Sequence, residues 1–167
     1  MATNAVDGPE TEDGAEGDPE FTVTVHLRSS PVSAAARRQK TVLDRVRELE
    51  AEGAVPELRV ERWGARVSVP AEDAHPDDAA ALFTEFEAAA EDAGLRLTPF
   101  FETRESVGGL LSSGPATERI IIFPVVSLTV RDDDGLAGLY PCWNDGVHQS
   151  VEDCLGTLAD GEDVRNL

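Results

Sequence analysis

The sequence predicts an α+β fold: a ferredoxin-like β-α-β-β-α-β unit over residues 21–104, followed by a β-hairpin and a C-terminal helix. Three observations carry this expectation. Apolar residues alternate with period two near Phe21, Leu58 and Val67, the spacing of half-buried strands. Between these segments lie two stretches with apolar residues at helical spacing, around Val42 and Phe83. Glycine and proline then fall at the junctions, where helices and strands must stop.

Residues 1–20 hold seven acids (Asp7, Glu10, Glu12, Asp13, Glu16, Asp18 and Glu20) and no base, so they are expected to form a disordered acidic tail. Order is expected from Phe21, where Phe21, Val23, Val25 and Leu27 alternate with Thr22, Thr24, His26 and Arg28. Ser30-Pro31 opens a helix that runs to about Glu52, buries Ala35, Val42, Val46 and Leu49, and stops at Gly53. Two short strands follow, with Leu58 and Val60 facing in from the first and Val67 and Val69 from the second. Trp63-Gly64 then stands where a tight hairpin turn is needed.

The second helix begins near Pro76, with Asp77 and Asp78 on its positive end. Leu82, Phe83, Phe86, Ala90 and Ala93 form its apolar stripe and Gly94 ends it. A fourth strand spans roughly Leu95 to Thr103, with Pro99 marking an edge or a bulge. Residues 105–117 read as a flexible link. Residues 118–167 are expected to be a strand broken at Pro124, a turn at Asp132–Gly135, a partner strand and a helix, all packing on the same domain. Ser150-Val151-Glu152-Asp153 is a capping-box start for that helix, which buries Val151, Cys154, Leu155 and Leu158.

The charge balance narrows the setting. Asp and Glu number 33 against 14 Lys and Arg, for a net charge of -19, and Lys40 is the single lysine. Dense carboxylates, scarce lysine and 5% aromatic residues suit a cytoplasm of concentrated potassium chloride. There the Debye length is about 3 Å at 1 M salt, and surface repulsion is screened. No apolar run reaches the roughly 18 residues needed to span a bilayer. The acidic start MATNAVDGPE lacks the basic and apolar regions of a secretory signal. A halophilic, cytoplasmic protein is expected.

Chemistry-bearing motifs are few. Cys142, His148 and Cys154 stand in a C-x5-H-x5-C pattern, outside the C-x2-4-C and H-x3-5-H pairs that zinc prefers. Cys154 also falls on the apolar side of a helix, so no metal is assigned. His75 precedes Pro76 as a helix-entry residue. Asp132–Gly135 lacks the alternating ligands of a calcium loop, and Gly108-Gly109 and Gly114 lack the G-K-[ST] of a phosphate loop. No catalytic constellation and no cofactor site are recognised.

Two groups of residues point to binding. Arg37, Arg38, Lys40, Arg45 and Arg47 cluster on the first helix, with Asp44 the one acid among them. In so acidic a chain they could contact phosphates or an acidic partner, or form a solvated face paired through Lys40–Asp44 and Asp44–Arg47. The second group is the sheet face turned away from both helices, carrying His26, Arg28, Arg59, Trp63 and Arg66. RNA-binding domains of ferredoxin-like fold stack bases on aromatic residues of such a face, and Trp63 alone is a thin platform. The same face is open to a small polar ligand, a second subunit or the C-terminal hairpin.

The segment ARRQKTVLDRVRELEAEGAVPELRVERWGARVSV (Ala36–Val69) resembles a family of small haloarchaeal proteins known as helix-turn-helix domain proteins. PFFETR (Pro99–Arg104) and YPCWNDGVHQSVEDCL (Tyr140–Leu155) share the resemblance. It implies DNA binding: a helix ending in L-E-A-E-G before a β-hairpin looks like a recognition helix and its wing. A winged helix, however, needs a helix before the recognition helix, and a strand stands there in this chain. The function expected is a non-enzymatic regulatory or protein-interaction module that self-associates or binds a protein partner. The alternative is a transcriptional regulator that binds DNA through residues 37–47.

Overall fold

The structure, a computed structural model, describes residues 20–70, 78–107 and 117–167. These residues form a mixed α+β fold with three helices and three sheets. Residues 1–19, 71–77 and 108–116 lie outside the described residues, and with them most of the expected tail and link and His75, Pro76 and Asp77 of the expected second-helix start.

The central sheet has four strands: β1 (Thr22–Arg28), β2 (Glu57–Trp63), β7 (Val126–Asp132) and β8 (Gly135–Tyr140), in the order β2-β1-β7-β8. Between β1 and β2 runs α1 (Ser33–Ala51), ended by Gly53 at φ 82°, a left-handed conformation that glycine adopts without a side-chain clash. β1 and β2 pair in parallel, Val25 beside Val60, as a helical crossover allows. β1 and β7 pair antiparallel, with Val25 beside Leu128.

This pairing corrects the ferredoxin-like order expected from the sequence. There β2 and β3 (Arg66–Pro70) would form a hairpin. Here β2 lies against β1, while β3 pairs with β6 (Thr117–Ile122) in a second sheet of order β3-β6-β5, where β5 is Glu102–Val107. Gly64-Ala65 is a crossing between sheets rather than a hairpin turn, and Pro124 likewise separates β6 from β7. Period-two alternation says that a segment is a strand with one buried face. It does not say which neighbour supplies the ladder.

The layers follow from the alternation of β1. Val23, Val25 and Leu27 face one way and form a core with Val42, Val46 and Leu49 of α1 and with Val151, Cys154, Leu155 and Leu158 of α3 (Val151–Ala159). Ser150 caps α3: its Oγ accepts from the Asp153 N–H at 3.0 Å, and the Asp153 carboxylate accepts from the Ser150 N–H at 2.9 Å. Thr24 and His26 face the other way, where Phe86 of α2 (Asp78–Ala93) meets the His26 ring edge-on at 5.9 Å. The first two helices therefore cover opposite faces of the sheet, not the same face as the sequence suggested. Ala80, Phe83, Phe86, Phe101, Ile121 and Phe123 form the second core.

Smaller departures are local. The fourth expected strand divides into β4 (Leu95–Arg96) and β5, with a turn around Pro99 between them. β9 (Cys142–Asn144) and β10 (Val147–Gln149) form a hairpin that β4 extends to three strands. Its turn places Asp145 at φ 48° and Gly146 at φ 77°, the two left-handed residues of a type I′ turn.

Candidate functional site

The face expected to be open is a packed polar layer. His26 is 3% exposed and stacks on Trp63, with ring centroids 4.8 Å apart; Trp63 in turn stacks on Phe123 at 4.3 Å. His26 Nε2 lies 3.2 Å from Thr129 Oγ1, and Nδ1 lies 3.6 Å from Glu61 Oε2. A carboxylate can only accept, so Glu61 favours the proton on Nδ1 and leaves Nε2 to accept from the Thr129 hydroxyl. Burial, reinforced by the nearby charge of Arg131, lowers the His26 pKa from 6.5 to about 4, so the ring is neutral near pH 7.

Arg131 itself is held by two hydrogen bonds of 2.7 Å to the Glu85 carboxylate, which tie β7 to α2. That bonding also keeps the Glu85 carboxyl below its ordinary pKa. The Trp63 Nε1 is buried without a hydrogen-bond partner among the described residues. A cavity of about 510 Å3 opens beside this layer, between His26 and Trp63 on one side and Ala79 and Leu82 on the other.

The other residues assigned to that face are dispersed. Arg28 is half-buried, and its guanidinium donates to the Phe123 carbonyl. Arg59 is exposed and pairs with Glu57 on its own strand at 2.7 Å. Arg66 is exposed on β3, in the second sheet. His26 and Trp63 are brought together with Arg28 beside Trp63 in the β1–β2 ladder, while Arg59 pairs within its own strand and Arg66 lies in the second sheet. The sequence placed β2 and β3 in one sheet, and their separation divides the group.

On α1 the basic residues are largely engaged. Arg38 makes a two-pronged bond to Glu152 of α3, at 2.9 and 3.1 Å, which holds the Glu152 carboxyl below its ordinary pKa. Lys40 pairs with Asp44 at 2.5 Å and Arg45 with Glu48 at 3.0 Å. Arg37 and Arg47 are exposed and form no ion pair among the described residues. Surface pairs of this kind are worth about 0–1 kcal/mol each, so they can be exchanged for a partner's charges.

Cys142, His148 and Cys154 do not converge. Cys142 sits in the second core and Cys154 in the first, while His148 is exposed and stacks on Phe100 at 4.8 Å. Burial pushes the two thiols up, Cys142 to about 11 and Cys154 to about 12. Among the described residues no group of three or more His, Cys, Asp and Glu is placed to hold a metal ion.

Sequence reasoning missed the cluster around His148. Phe100, Trp143 and His148 pack together, with the Arg96 guanidinium 5.6 Å from the Trp143 ring centre. The turn signal Asn144-Asp145-Gly146 could have revealed the hairpin that carries Trp143 and His148. No helix among the described residues is long and apolar enough to cross a membrane.

No curated protein and no solved structure matches the chain. In the described residues strands separate α1, α2 and α3 from one another, so no two helices follow each other across a short turn. A family model described as "Helix-turn-helix domain" nevertheless matches residues 15–163. That match runs from before β1 through all three helices, so the chain belongs to this helix-turn-helix domain family.

Proposed function

We propose that the protein is a non-enzymatic regulatory module that acts by association, with a protein partner or a second copy of itself, in a salt-rich cytoplasm. The observation that carries this reading is that His26, Cys142 and Cys154 are used in packing. His26 is a neutral member of a ring stack, and both cysteines are buried thiols whose pKa burial has raised. The net charge of -19 with one lysine supports a halophilic, haloarchaeal setting. The test is a pull-down with tagged protein from native lysate in molar potassium chloride, with and without nuclease. A specific protein that survives nuclease is expected. Reproducible turnover of a metabolite by the purified chain would sink the reading.

A second reading, a DNA-binding transcriptional regulator, is favoured by the family description and by the exposed Arg37 and Arg47 on α1. In that reading Arg37, Arg38, Lys40, Arg45 and Arg47 meet phosphates, and Arg38, Lys40 and Arg45 exchange their present carboxylates for them. Nuclease-sensitive DNA in the eluate, lost when the five are replaced by glutamine, is the expected result. DNA retention unchanged by those replacements removes its basis.

A further inference from the structure

The two ends of the central sheet are treated differently. Beyond β8 the C-terminal residues close the ladder: the N–H groups of Asn166 and Leu167 donate to the Ala137 carbonyl, and the Asn166 side chain bonds both the N–H and the C=O of Leu139. Beyond β2 no further strand pairs among the described residues. Glu57, Arg59, Glu61 and Arg62 are exposed, and Val60 is 39% exposed. An open seven-residue edge is a template for another strand.

The backbone parity of that edge is fixed by one bond. The Ser29 N–H donates to the Trp63 carbonyl at 2.8 Å, so Trp63 directs its backbone groups toward β1. In a parallel ladder alternate residues point the same way, so Arg59 and Glu61 also turn inward. Leu58, Val60 and Arg62 therefore present their N–H and C=O groups outward. An antiparallel second strand must hydrogen-bond through these three residues.

Among two-fold registers of β2 on β2, overlap and charge together separate the alternatives. Centring on Leu58 also sets Glu57 against Arg59 but overlaps only residues 57–59 of each strand, whereas centring on Val60, the middle residue, overlaps the whole strand. Centring on Arg59 sets two arginines opposite each other, and centring on Glu61 sets two glutamates opposite. Centring on Val60 places Arg59 against Glu61 of the second copy, twice, in the close pairs where opposite charges attract. The two Val60 residues then exchange backbone bonds on the axis, and Leu58 does so with Arg62 of the other copy.

We propose that the protein forms a homodimer by antiparallel pairing of β2 with β2 centred on Val60, joining two four-stranded sheets into one of eight. The proposal rests on the association reading above and names a second copy as one of its partners.

The test is light scattering across a dilution series of the full chain in molar potassium chloride, with wild type, Arg59→Glu, Glu61→Arg and the double reversal. Wild type is expected at twice 17.9 kDa at high concentration. Each single reversal opposes like charges at two places and, with the repulsion partly screened by molar salt, raises the dissociation constant about threefold. The double reversal restores opposite pairs and returns the constant toward wild type, and circular dichroism verifies that every variant is folded. A monomeric wild type, a dimer indifferent to both single reversals, or a double reversal no better than the singles overturns the proposal. A monomer that still captures a nuclease-resistant protein overturns this inference alone and leaves the association reading standing.

Discussion

Lowering the pH through the His26 titration should destabilise the protein by a calculable amount. The ring is buried between Trp63 and Phe86, faces Thr129, Glu61 and Arg131, and has a pKa of about 4 against 6.5 in an unfolded chain. Because the folded value is depressed, the unfolded chain binds more protons between those pH values. Stability fully present above pH 6.5 is then lost as the pH falls toward 4. The whole difference is worth about 3 kcal/mol, and about 2 kcal/mol of it falls between pH 7 and pH 5.

Urea unfolding in molar potassium chloride, followed by tryptophan fluorescence, measures this directly. Carboxylates titrate in the same range, so the quantity read is the difference between wild type and His26→Gln. Glutamine can still bond Thr129 but carries no titrating proton. Wild type should lose about 2 kcal/mol more than the variant between pH 7 and pH 5. Equal losses would refute the claim that His26 is a buried, neutral core residue.

Other outcomes follow from packing and capping. A Cβ at Gly138 would sit 2.8 Å from the Val164 carbonyl oxygen and 3.1 Å from the Val130 Cβ, so Gly138→Ala should cost about 1–3 kcal/mol. An unchanged urea midpoint would contradict the close approach of the C-terminal segment. Ser150→Ala removes the acceptor for the Asp153 N–H and should lower stability by about 1 kcal/mol, measured the same way. With Cys142 at about 11 and Cys154 at about 12, both thiols are protonated and shielded, so a thiol-reactive chromophore at pH 8 should label them slowly in native protein and fully in guanidinium. Rapid native labelling would overturn that.

Local signals in this chain were strong where the chemistry is local. Gly53 and Gly94 do end α1 and α2 with positive φ, and Ser150 and Asp153 do form the capping box of α3. The apolar stripes of α1 and α3 face one core, with Val42, Val46, Leu155 and Leu158 in contact with the sheet as their spacing implies. Ala35 and Leu82 are only half-buried and Ala93, the last residue of α2, is exposed.

The site was only partly legible. Alternation put His26 opposite Val25, which is right, and then assigned it to an open face, which is not. α2 packs across that face, and its Phe86 meets the buried imidazole edge-on. Which side a helix covers depends on the direction in which the chain leaves the preceding strand, and no residue type encodes that direction on its own. The basic residues of α1 were visible as a cluster, but Glu152, the partner of Arg38, lies 114 positions away and became a neighbour only through the packing of α3 on α1.

By itself the sequence determined that this protein is an acidic α+β chain, with period-two strands, two long amphipathic stretches and a capped final helix. Each of those follows from spacing over a few residues, where geometry is set by the backbone repeat. Tertiary structure alone decided that β2 lies parallel to β1, that β3 belongs to another sheet, that His26 is neutral core, and that β2 is the last strand of its sheet among the described residues. Those outcomes depend on contacts between residues far apart in the chain, and one strand pattern is compatible with several partners until the layers close.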